Sequence, residues 1–188
     1  MKERGSKLEI TQEVIDRTHS KAELHADNMA IYVRSVMFRM SQEQPALMAF
    51  IRQAGESMRV GDVLVYSSGA ALAYDMLTQA LPNEKRKRPI TTDLLNIVIQ
   101  NITEHVDEPE NAAGGDKEGK KSIDLVWFND KLREDSPAFM DWMGEMVSGF
   151  EGDKAKSDFI LGSTFVVMPF YIMGEADELE QDLYKPTE

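Results

Sequence analysis

The chain of 188 residues contains no cysteine, which excludes disulfides, thiolate metal ligation and cysteine nucleophiles together. Histidine is scarce, with only His19, His25 and His105. Cations are outnumbered by 33 acids to 21, and the formal charge of −12 argues against direct nucleic-acid binding, because phosphate contacts need a positive surface. Long apolar runs are missing too. The longest, Phe159 to Met173, contains Gly162 and Pro169 and falls short of the roughly 20 residues of a membrane-spanning helix. Met1 to Lys7 is polar and is followed by Glu9 and Glu13, not by the apolar core of a secretion signal. No membrane insertion and a cytoplasmic location are therefore expected.

What remains is material for helices. The apolar share of 42% is ordinary for a globular chain, and this length buries roughly 70% of its unfolded surface. Thr11 is placed to cap a first helix, with Glu13 in its positive first turn. Ala22, Ala26, Met29, Val33, Val36, Met37 and Met40 fall at three- and four-residue steps and predict one apolar stripe. Pro45 opens a further helix with Leu47, Phe50, Ile51, Ala54 and Met58 on one side. Gly61 is expected to end that segment and Asp62 to cap the next, which Pro82 stops. A polar loop over 82–90 carries Lys85-Arg86-Lys87-Arg88, and Thr91 or Thr92 then caps a helix bearing Leu94, Leu95, Val98, Ile102 and Val106.

Residues 107–121 have almost nothing to bury and carry Gly114, Gly115 and Gly119, so they predict a flexible linker. It divides an N-terminal helical half, 1–106, from a C-terminal half, 122–174, with an acidic tail over 175–188. Beyond it, Ile123 to Phe128 fits a short helix or an extended segment. Ser136 and Pro137 open a helix with Phe139, Met140, Met143, Met146 and Val147. A last, nearly all-apolar element runs from about Ser157 to Met173, with Gly174 as its stop. Pro45-Ala46-Leu47-Met48 and Pro137-Ala138-Phe139-Met140 begin alike, which suggests two pseudo-repeated helical halves. The expected fold is all-α, a bundle-like arrangement of six to eight helices. Asp62 to Tyr66 and Thr164 to Val167 are β-branched or aromatic enough to form buried strands, but helix is favoured by their surroundings.

No reactive constellation assembles. Asp16-x-x-His19 has no second copy, whereas a helical di-metal site needs one from each of two helices. Ser67 and Ser68 lack the glycine that must precede a nucleophile elbow, so small residues for close helix packing are the better account. Gly114-Gly115 has no Gly-Lys-Ser/Thr ending for phosphate. Glu175, Glu178 and Asp182 have the spacing of a Mg²⁺-holding face, but no second carboxylate pair stands opposite. Catalytic, cofactor and metal residues are accordingly none. Twelve methionines suit an irregular core or an adaptable binding groove. Trp127 and Phe128, just after the linker, are the candidate partner-binding residues, or else they pin one half to the other.

The function this composition suggests is non-catalytic: a cytosolic helical protein acting by protein–protein interaction, through a protein partner or self-association. Two other classes are compatible. One is an acidic nucleic-acid mimic that blocks the basic groove of a partner protein; the other is a helical metal-dependent enzyme.

Overall fold

The computed structural model describes residues 8–24, 28–98 and 125–183, with side chains over 8–24, 28–98 and 128–174. The linker expected at 107–121, His25 and His105 therefore lie outside the described residues, as do the side chains of Trp127 and of the acidic tail. Among the described residues every regular element is a helix, and the architecture is all-α and bundle-like. The helices are α1 (Gln12–Glu23), α2 (Met29–Glu43), α3 (Pro45–Gly55), α4 (Val60–Ala80), the single turn α5 (Asn83–Arg86), α6 (described over 92–98), α7 (Leu125–Asp135), α8 (Pro137–Ser148) and α9 (Asp153–Leu183).

Local chemistry sets most of the starts. Thr11 Oγ1 accepts from the Val14 N–H at 3.4 Å, and Thr91 Oγ1 accepts from the Leu94 N–H at 3.2 Å. Pro45 and Pro137 each begin a helix where a missing N–H is harmless. Both segments with strand-like composition are helical, inside α4 and α9, since burial on nearly all sides selects β-branched and aromatic residues in a helix as well.

Several boundaries differ from expectation. The stripe from Ala22 to Met40 is divided between two helices: Ala22 is buried in the last turn of α1, and α2 starts at Met29. Equal spacing on both sides conceals the break. Gly61 does not end α3; it lies in the first turn of α4, whose N-cap is Arg59, with Asp62 a turn residue facing Lys154. The helix α9 continues past Gly174 to Leu183, because a glycine stops a helix only when it adopts a left-handed conformation. Among the described residues the glycine with positive φ is Gly152 (φ 91°), between α8 and α9. Part of the loop expected over 82–90 winds into α5.

Two helices with long apolar stretches, α4 and α9, form the centre. They run parallel. Lys154 Nζ meets Asp62 Oδ2 at 3.0 Å near their N-terminal ends, while Leu81, Phe170, Met173 and Gly174 line one small cavity at the other end. Midway, Gly69 and Gly162 let the backbones touch. A Cβ on Gly69 would stand 2.3 Å from the Phe159 carbonyl oxygen, and one on Gly162 would stand 2.1 Å from that of Tyr66. Within α9, Asp153–Gly174 is 22 residues long and contains an 18-residue window of mean hydropathy 1.3, long and apolar enough to cross a membrane by length and composition. In this structure 67% of that window is buried inside the protein, and α4 is its principal cover. The other elements pack around the pair, with α1, α2 and α3 on α4, and α3 and α8 on α9.

Two single-residue joints hold the layers in place. Gln44, between α2 and α3, has φ −138° and ψ 67°; Ser136, between α7 and α8, has φ −139° and ψ 59°. A following proline bars both from the helical region. Each side chain is buried and grips a segment far away in sequence. Gln44 Nε2 donates to the carbonyls of Arg86 (2.6 Å) and Arg88 (2.8 Å), and its Oε1 accepts from the Ile90 N–H at 3.0 Å. Ser136 Oγ accepts from the Ile10 N–H at 2.9 Å, beside the Tyr171 hydroxyl that donates to the Leu8 carbonyl at 3.0 Å. Where the sequence expects Ser136 to cap α8, its hydroxyl makes this tertiary contact instead, with no side-chain cap bond. The two Pro-Ala-x-Met starts thus share joint geometry as well as residues.

Alanine at Gly69 or Gly162 is expected to destabilise the fold by about 3 kcal/mol, because backbone cannot yield as a flexible side chain can. The exposed Gly144, with nothing within 4 Å of an added Cβ, should gain roughly 0.5–1 kcal/mol from the same change. Urea denaturation of the three variants measures both signs.

Candidate functional site

Phe128 belongs to the core. It is 1% exposed, and its ring meets Tyr171 edge-on at 5.7 Å. His19 is paired with Trp142. Its Nε2 accepts from Trp142 Nε1 at 2.6 Å, which places the neutral imidazole proton on Nδ1 by geometry, while Asp16 takes a bond from Gln12. Among the described residues no three histidine or acidic side chains converge as a metal-holding group. Within the basic run, Arg86 is folded inward, donating to Glu43 Oε1 at 3.0 Å and to the Thr78 carbonyl at 3.2 Å. Ser68 donates to the Leu64 carbonyl at 2.8 Å, a bond internal to α4.

Two features absent from the sequence expectations stand out. The first is polar. Asp75, on α4, is 2% exposed and surrounded by donors. The Tyr32 hydroxyl donates to its Oδ2 at 3.1 Å, Arg39 donates to its Oδ1, and Lys21 Nζ approaches Oδ2 at 3.6 Å. These residues line an open cavity of about 240 Å³ with Leu24, Ser35 and Val36. A helical period reading counts Asp75 as an interruption in an apolar run, which is the one signal that could have drawn attention to it.

The second feature is apolar. Between α2, α3 and α4 lies a groove of about 330 Å³ walled by Met37, Met48, Ile51, Val63 and Tyr66, with Arg52 and Glu56 at its edge. Tyr66 is 1% exposed, and its hydroxyl has no hydrogen-bond partner. Nearby on α4, Val60 (90% exposed) and Leu64 (51%) face solvent, and on α2 so do Ile31 (52%) and Phe38 (68%), seven residues apart on one side.

Four tyrosines share an electrostatic property. Burial pushes the hydroxyls of Tyr32, Tyr66, Tyr74 and Tyr171 well above the usual phenol value of 10.0. The Asp75 charge adds to this at Tyr32, and the hydrogen bond to Glu43 adds at Tyr74. Below the unfolded value both states are protonated and stability is whole. Above about pH 10 the unfolded chain ionises while the native one resists, so stability falls as pH rises. Alkaline titration should therefore show the tyrosinate band of these groups appearing together with loss of helical circular dichroism. Their smooth ionisation in a still-folded protein would contradict the burial.

Comparison with protein-family models, with curated proteins and with solved structures gives no match for this chain.

Proposed function

We propose that this protein is a non-catalytic interaction module of the cytoplasm, and that it captures an amphipathic helix with basic flanks in the groove between α2, α3 and α4. The observation that carries this reading is the composition of the groove wall. Met37 and Met48 offer flexible, polarisable surface, and the buried Tyr66 hydroxyl beside them lacks a partner. Exposed Val60 and Leu64 next to Val63 extend the apolar surface along α4. The choice of partner follows from charge. With −12 on the chain, basic flanks would be steered toward the protein and acidic ones repelled.

Selection of displayed peptides against the full chain tests the proposal. Selected sequences should carry apolar residues at helical spacing between Lys or Arg flanks. Their affinity should fall at least about tenfold in Val63→Asp and in Met48→Glu, since each would bury a charge against the ligand. Circular dichroism separates this loss from unfolding. Peptides without that pattern, or binding indifferent to both substitutions in folded protein, would refute it.

A further inference from the structure

We infer that the cavity between α1, α2 and α4 is a binding site for a small organic carboxylate, independent of the groove proposed for a protein partner. Among the described residues its charge does not balance: Lys21 and Arg39 face the single carboxylate of Asp75, leaving one excess positive charge. Neither does its hydrogen bonding. Both oxygens of Asp75 are engaged, Oδ1 by Arg39 and Oδ2 by Tyr32 and Lys21. Donors remain in surplus. The half-exposed Lys21 Nζ reaches Asp75 only at 3.6 Å, beyond a normal hydrogen bond. A site with unspent donors and one surplus positive charge calls for a monoanionic acceptor.

The remaining walls narrow the class. Leu24, Val36 and the ring of Tyr32 give the cavity an apolar side, where the hydrocarbon body of an organic acid can lie. Inorganic phosphate has no such body, and its second negative charge would sit against Asp75. The carboxylate of Asp75 has a clear role in this arrangement. It holds Arg39 and Lys21 at the cavity while preventing an excess of two charges, which would favour a dianion.

Isothermal calorimetry and thermal unfolding of the full chain with benzoate and with hexanoate test this, with inorganic phosphate and chloride at equal ionic strength as the other arms. Benzoate or hexanoate should bind with one-to-one saturation and raise Tm, more strongly than phosphate, with chloride inert. Lys21→Met, a half-exposed position, should weaken binding about tenfold or more, with circular dichroism confirming that the variant is folded. Asp75→Asn should tighten phosphate relative to benzoate. Arg52→Met, in the separate groove, should leave benzoate affinity unchanged. The assignment is overturned if neither carboxylate binds, if phosphate alone binds, or if Lys21→Met retains full affinity.

Discussion

The fold depends on a backbone-to-backbone contact. Where α4 and α9 cross at Gly69 and Gly162, each helix places a carbonyl where the other would carry a Cβ, so the axes come closer than side chains would permit. That approach explains the composition of both helices. With a neighbour at van der Waals distance along one side and α1, α2, α3 or α8 on the others, almost every turn must be apolar or small. It also explains how Pro169 is accommodated inside α9. Val166, Val167, Met168 and Phe170 are buried around it, and packing holds the helix together where a backbone hydrogen bond is lost.

Around this pair, a few buried polar side chains decide which segments lie where. Gln44 and Ser136 satisfy backbone groups outside the regular helices, at Arg88 and Ile90 and at Ile10. Their reach differs. Gln44 ties 86–90 back to the α2–α3 joint, whereas Ser136 ties the N-terminal segment before α1 to the α7–α8 joint. Apolar contact alone would permit neighbouring registers; three hydrogen bonds from one glutamine permit a single one. The Asp75 cluster is of another kind. It opens to solvent, and its charged partners are side chains drawn from other helices. For that reason it belongs with function more than with folding.

Helix identity was legible in the sequence because apolar spacing reports a helical face directly, as at Leu47 and Ile51 or Phe139 and Met143. Thr11, Pro45 and Pro137 were legible as starts because capping acts within a few residues. Boundaries set by tertiary contact were not. Gly174 has the residue type of a stop but not the conformation, and Gly61 looks like a break yet lies in an open first turn. The candidate sites were hidden for a similar reason. Asp75, Lys21 and Arg39 lie on three helices, and no spacing rule links them. Tyr66 reads as one more apolar position until its hydroxyl is found without a partner. Phe128, conspicuous in sequence, is core.

The parallel packing of α4 against α9 is the proposition on which both candidate sites rest, because it fixes the faces on which α2, α3 and α1 can lie. The absence of cysteine makes it directly measurable, since spin labels attach only where cysteines are introduced. Val60→Cys paired with Asp153→Cys, and Val60→Cys paired with Gly174→Cys, would place labels at exposed positions on the same and on opposite ends of the helices. Parallel packing predicts that electron–electron distance measurements give the first pair as the shorter by roughly 20 Å, since a helix the length of α4 spans about 30 Å. Equal distances, or a shorter second pair, would contradict the architecture described here.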